Sequence, residues 1–433
     1  MKSYFSTQLK LSVLVVSLLV LFFIFGPIDI CGADEAAIMA EIAELKARIA
    51  ALEQKLTQQQ QQMTKTEQKV SKIESIPEIL EGINIGAGAT FILQGTHNAN
   101  GDNLLSKGDD VTDASYSIDV EIEKEFDDYG KAFIHLEAGG SEGVEDELKV
   151  FSNVNRDADN NENVRLTEAW YEHYLTTIPL TLTFGKIDAT CFIDTNEYAN
   201  DECGQFLGRI FRNSPTIEFA DNAAGIRLGF EPLDSLDLEF VLMDADSDWE
   251  DMFDEMFVTT QLNIKPNLFN RSGNYRLIGW FNDRDHTKWL EQAKVTKASF
   301  GFGLSLDQEL TDDLGTFFRY GWQDPKVFLT GEDYSLEHSW SAGLQLSGSI
   351  WNREEDVLGI AIGQAIPSDE YEEADAARNA NSETHFEVYY SYKVNDHLTL
   401  SPDVQVILDP YGDDASVGDD TIAVFGMRGQ VDF

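Results

Sequence analysis

Side chains able to do covalent or metal chemistry are present but are not arranged for it. The seven histidines are scattered, and none pairs at a zinc spacing such as His-Glu-x-x-His. No Gly-x-Ser-x-Gly elbow or phosphate-binding glycine loop occurs, and His135, His173 and His338 lack the spacing of a Ser–His site. Asp157-Ala158-Asp159-Asn160-Asn161-Glu162 has the acidic rhythm of a calcium loop but not its glycine or distal glutamate, so it reads as a solvated surface loop. The expectation is no catalysis, no resident metal and no cofactor. What remains is non-covalent chemistry. Arg276, Trp280, Arg319, Glu387, Asp403 and Arg428 offer guanidinium and carboxylate hydrogen bonds and an aromatic face, which suit a neutral, hydroxyl-rich partner.

The elements that must position these residues are strands. From residue 83 onward apolar and polar residues alternate with period two, broken by Asp, Asn, Gly and Pro clusters. In residues 299–306 one face is Phe300, Phe302, Leu304 and Leu306, and the other is serine and glycine. Leu180, Leu182 and Phe184 share a face, as do Phe386, Val388, Tyr390 and Tyr392, and Val404, Val406 and Leu408. The last stretch sets Ala423, Phe425, Met427, Val431 and Phe433 against Arg428, Gln430 and Asp432. A soluble sandwich alternates too. The large apolar faces, their aromatic ends and a terminal strand that is apolar on one side favour a wall between lipid and water. At ~10 residues per strand plus a connection, residues 83–433 allow about 16 strands, which leaves a water-filled bore. The predicted class is all-β: a transmembrane antiparallel barrel, with the six polar and aromatic residues above on the channel side. Trp280 reads equally well as packing beneath an inward loop, and the charged residues as wall salt bridges.

The N-terminus is built differently. Lys2 and Lys10 precede an apolar run at 11–25, and Cys31-Gly32-Ala33 follows as a small-residue exit. This is the layout of a secretory signal peptide, 1–33. In an oxidising compartment the two remaining cysteines, Cys191 and Cys203, are expected to form a disulfide. Residues 34–76 carry Ile38, Ile42, Leu45, Ile49, Leu52 and Leu56 at heptad spacing, with Glu41–Lys46, Arg48–Glu53 and Lys69–Glu74 in the flanking positions. They predict an α-helical coiled coil, a stalk in the periplasm that joins chains; Ile at a with Leu at d leans toward a dimer. The chain carries 77 acidic against 31 basic residues, a net charge of −46, which excludes a nucleic-acid partner.

Several strings resemble the carbohydrate-selective (OprB-like) porins. They include Gly273-Asn274-Tyr275-Arg276-Leu277-Ile278-Gly279-Trp280, Phe317-Phe318-Arg319-Tyr320-Gly321-Trp322, Glu387-Val388-Tyr389-Tyr390 and His397-Leu398-Thr399-Leu400-Ser401-Pro402-Asp403. Phe184-Gly185-Lys186-Ile187-Asp188, followed by Asn196, Ala199-Asn200-Asp201 and Gln205-Phe206, is similar as well. The likeness covers roughly residues 165–433. It implies an outer-membrane barrel of about 16 strands that passes sugars and small hydrophilic solutes by diffusion, and it leans toward a trimer. The segment 188–205 is expected to fold inward and narrow the bore. Acidic runs at 244–254 and 369–375 are expected outside, where divalent cations bridge to lipopolysaccharide. Two other readings stand beside this one: a general or cation-selective pore, from the net acidity, and an envelope-tethering protein whose stalk is the working part.

Overall fold

The computed structural model describes residues 82–433, apart from 102–109, 159–161, 253, 297, 415–416 and 418–419, together with Lys46 and Lys55. The expected signal peptide, and the stalk apart from Lys46 and Lys55, therefore lie outside the described residues. The chain divides into two units between Glu81 and Gly82.

Seventeen strands join into one sheet, and the two-residue piece Asn267–Leu268 is only an extension of a hairpin. The other sixteen are the barrel staves. They are β1 (Ile83–His97), β2 (Thr112–Phe126), β3 (Gly130–Gly140), β4 (Arg165–Leu175), β5 (Leu180–Ile187), β6 (Ala223–Leu233), β7 (Leu236–Asp244) and β8 (Met256–Ile264). Then come β9 (Arg271–Asn282), β10 (Ser299–Thr311), β11 (Leu314–Gln323), β12 (Leu336–Ser347), β13 (Val357–Pro367), β14 (Glu383–Asn395), β15 (Leu398–Leu408) and β16 (Ile422–Asp432). Each pairs antiparallel with the next. The cylinder closes where β1 meets β16, from Gly88 opposite Asp432 to His97 opposite Ala423. Closure leaves no stave with an unpaired edge, as hydrocarbon requires of a spanning sheet.

Connections alternate between short and long. Residues 127–129, 176–179, 234–235, 312–313 and 396–397 make tight turns at the end where β1 starts and β16 finishes. At the other end run long loops, the longest at 188–222. Two of these loops exchange short strands, with His286–Lys288 paired to both Val295–Thr296 and Val327–Leu329.

The period-two pattern sorts the two faces as the sequence predicts. Phe91, Leu93, Phe300, Phe302, Ile360, Ile362, Phe386, Val404 and Phe425 are all exposed on the outside, while Ser299, Ser305, Ser339 and Ser341 are buried within. Exposed apolar groups in this number would be a liability in water; on a barrel they form the band that lipid wets. Aromatic pairs mark its two rims. Phe126 meets Tyr171 at 5.9 Å towards the short-turn end, and Phe300 meets Trp322 at 5.8 Å towards the other.

Candidate constriction

The long loop 188–222 turns into the barrel and lies against the inner wall of β8–β16. That wall is shaped for it. A methyl group at Gly321 would strike Ser214 and Thr216, and one at Gly315 would strike the Tyr198 ring. The serine-and-glycine face seen in the sequence of β10 is part of the same bed: Asn196 Nδ2 donates to the hydroxyl of Ser305 at 3.3 Å and to the carbonyl of Leu306 at 3.1 Å.

Two apolar patches seat the loop. Phe206, Ile210 and Phe211 pack with Phe317, Ala361 and Tyr389. Ile193 and Ile217 pack with Met243, Phe257, Ile278 and Trp280. Between them, charged wall residues grip the loop backbone. Arg319 Nε meets Asp194 Oδ1 at 3.0 Å, and its two terminal nitrogens donate to the carbonyls of Phe211 at 2.5 Å and Asp194 at 2.9 Å. Asp194 also accepts from the Ser214 amide at 2.6 Å. Glu387 accepts the Leu207 and Gly208 amides at 2.7 and 2.9 Å. Arg428 donates to the carbonyls of Glu202 and Gln205 at 2.7 and 2.8 Å.

These contacts give the six channel-side residues structural roles, which for Arg276 and Trp280 are the salt-bridge and packing readings that the sequence left open. All face inward, but none is more than 7% exposed. Arg319, Glu387 and Arg428 hold the loop. Trp280 is core beneath it. Arg276 is a wall salt bridge to Asp307 at 2.5 Å, and Asp403 accepts from Gln405 Nε2 at 3.0 Å. Alternation identified their side of the wall; it carries no information on the segment that covers them. The expected disulfide is absent: Cys191 and Cys203 are free thiols. They sit in separate hydrogen-bonded turns. Cys191 ends a turn capped by Asp188, and the Cys203 amide donates to Asp201, with its thiol 3.6 Å from Asp157.

The groups left facing the bore come from elsewhere. Across from the loop, β2–β8 carry a ladder of partly exposed ion pairs. His135 meets Asp119 at 2.9 Å, Lys131 meets Glu123 at 2.8 Å, and Arg165 meets Glu137 at 3.7 Å. Arg227 bridges Glu172 at 3.0 Å and Glu239 at 2.6 Å, and Lys265 meets Asp237 at 2.7 Å. On the near side stand three arginines, Arg156, Arg209 and Arg212, with Arg212 Nε 2.5 Å from Glu202. Arg156 is held below the usual arginine range, first by its sunken position and then by Arg209 beside it. Asp157, expected in a solvated outer loop, instead accepts the Ser117 hydroxyl of the barrel wall at 2.9 Å. Desolvation, against that hydrogen bond and aided by nearby Glu202, pushes its carboxyl up to about 7.

Arg156, Arg209 and Arg212 on one side and a ladder of acid–base pairs on the other give the bore polar ends that suit hydroxyl-bearing solutes. The sequence reading missed Arg209 and Arg212 because it ended the inward segment at 205. Gly208-Arg209-Ile210-Phe211-Arg212 was the available signal, apolar residues flanked by arginines in a stretch otherwise read as loop.

Comparisons with known proteins agree with this architecture. The family model for the carbohydrate-selective porins, OprB family, matches residues 37–433. An uncharacterized protein of Aquifex aeolicus is 24% identical over 52% of this chain and 58% of its own length. A porin named AaxA from Chlamydia abortus is 23% identical over 53% of this chain and 50% of its own. The chain thus spans about half the length of the curated relatives it matches. Among solved structures, the high-pH form of Pseudomonas putida OprB superposes with a TM-score of 0.70 at 15% identity, covering 82% of this chain and 96% of that one.

Proposed function

The chain belongs to the carbohydrate-selective porin, OprB, family, and from that premise we propose that this outer-membrane porin passes sugars and small hydrophilic solutes through a wet, charged constriction. Flow is passive. The observation that carries the reading is the seating of the 188–222 loop by Arg319, Glu387 and Arg428, which narrows a bore whose β2–β8 wall carries a ladder of partly exposed acid–base pairs. The three anchors position the constriction; the exposed arginines and carboxylates meet the solute. A cyclic sugar offers hydroxyl donors and acceptors around its rim, so it can bridge both sides in place of water.

Single-channel recording in planar bilayers tests this. Neutral sugars added to one side should reduce ion current in a saturable way, and Arg209→Ala with Arg212→Ala should weaken that block. Ion flow that no sugar blocks would leave a general pore. The lumen's carboxylates support a preference for cations over anions in the same recordings, which reversal potentials read directly. The stalk at 34–76 is proposed to stand in the periplasm and to bring two or three barrels together, with lipid and lipopolysaccharide around them.

A further inference from the structure

A cluster of three carboxylates stands at the mouth of the barrel, at the root of the loop joining β7 to β8. Asp244, Asp246 and Asp248 each present a carboxylate oxygen, and these atoms all lie within 4.8 Å of one another. Such a group alone is common on acidic surfaces. Asp244 is the exception. It is 1% exposed, and neither of its carboxylate oxygens has a hydrogen-bond partner among the described residues. A buried carboxylate left in that state is costly unless something positive meets it. The basic groups of the neighbouring elements are engaged elsewhere. Arg227 is tied to Glu172 and Glu239, Lys265 to Asp237, and Arg284 lies 3.6 Å from Glu255.

We propose that Asp244, Asp246 and Asp248 bind a calcium ion that fixes the 245–255 loop to the barrel rim. Calcium takes oxygen ligands at about 2.3–2.6 Å, so ligands on opposite sides of it lie roughly 4.6–5.2 Å apart. One ion can therefore touch all three carboxylates. The sequence spacing supports the same ion. Asp244, Asp246, Asp248 and Glu255 occupy positions 1, 3, 5 and 12 of the calcium-loop pattern. Trp249 stands where that pattern has glycine and takes the left-handed backbone that glycine usually supplies, with φ of +64°. The loop is already closed at its base, where the Ala245 amide donates to the Glu255 carbonyl at 3.1 Å. Ser247 Oγ donates to the Asp221 carbonyl at 3.1 Å, a second tie between this loop and the barrel rim. The three carboxylates carry enough charge for calcium, and their mixed exposure leaves room for water in the remaining positions.

Trp249 is 51% exposed and adjacent to Asp248, which makes it an antenna for terbium, a calcium stand-in. The full chain in detergent, stripped with chelator, should give terbium emission on tryptophan excitation that saturates. Calcium should displace it at far lower concentration than magnesium. Asp246→Asn with Asp248→Asn should weaken binding by at least about tenfold, while the heat-shifted mobility on detergent gels and the single-channel conductance stay unchanged. Trp249→Phe should abolish the emission yet leave calcium binding by calorimetry intact. The proposal fails if calcium and magnesium compete equally, or if calorimetry of the folded wild type shows no saturable binding. It also fails if neutralising Asp369, Glu370 and Glu372 lowers the signal as much as the Asp246–Asp248 pair does. None of these outcomes depends on which solute crosses the pore.

Discussion

Arg319 makes three hydrogen bonds to the constriction loop and has 1% of its surface exposed. Removing it strands Asp194, which is fully buried, as an unpaired charge. Breaking one partner of a buried pair typically costs about 3–5 kcal/mol, enough to loosen the loop around Asp194. Arg319→Ala should therefore give larger and noisier channel openings. Arg319→Lys should restore only part of the effect, because one ammonium cannot reach three acceptors spread over two residues. Arg276→Ala is the control. Its salt bridge to Asp307 joins neighbouring staves, and Asp307 meets the loop through one long hydrogen bond, from the Glu197 amide at 3.4 Å, so conductance should change far less. Asp157 makes a prediction in pH. With its carboxyl raised to about 7, it is neutral below that pH and charged above it. Lowering pH from 8 to 6 removes a negative charge from the bore, so cation preference should fall over that window. Asp157→Asn should flatten this part of the profile in reversal-potential measurements. At this scale the sequence reveals which side of the wall a residue faces, since strand period fixes that. It does not reveal whether a charge meets water or a folded-in loop: Glu387 and Arg165 alternate alike, and only one is buried.

The elements show the same division. The staves were legible because lipid and water impose opposite demands on neighbouring residues, and the sixteen observed strands match the expected number. The inward loop was legible only in its first half. Its remainder is held by contacts with β11, β12 and β14, far away in sequence, and no local period records them. The bed on which it lies is nevertheless written in small residues. Gly321→Val would place two methyl groups where Ser214 and Thr216 sit, and the loop is the more yielding side because the stave is paired along both edges. The variant should push the loop into the bore and lower single-channel conductance, with little change in barrel assembly on gels. The outer face reacts to charge instead. Ile360 is exposed on β13 within the apolar band, and an arginine at mid-bilayer costs about 2–4 kcal/mol. Ile360→Arg should lower the yield of heat-modifiable barrel and leave the conductance of the survivors unaltered.

The whole molecule joins a closed cylinder to an N-terminal segment whose pattern is entirely different. β1 starts at Ile83, and its register is set along both edges, by β2 from Ile83 opposite Lys124 and by β16 from Gly88 opposite Asp432. Nothing in that pairing calls on residues before Gly82, and the chain's two units divide at the same place. The apolar heptads at 34–76 have a separate demand: a helix with one apolar seam must bury it against another surface, and opposite charges flanking the seam favour another copy of itself. Deleting 34–76 while keeping residues 1–33 should therefore separate two properties. Conductance per channel and sugar block should match the full chain, because the described contacts that seat the constriction loop come from the staves and their loops. Chemical cross-linking of the purified protein should shift from dimer or trimer towards monomer. If cross-linked oligomers persist at full yield, the barrels associate through their own walls and the stalk serves another purpose. If conductance collapses together with the oligomer, the bore depends on its neighbours, and the independence argued from the β1 register is wrong.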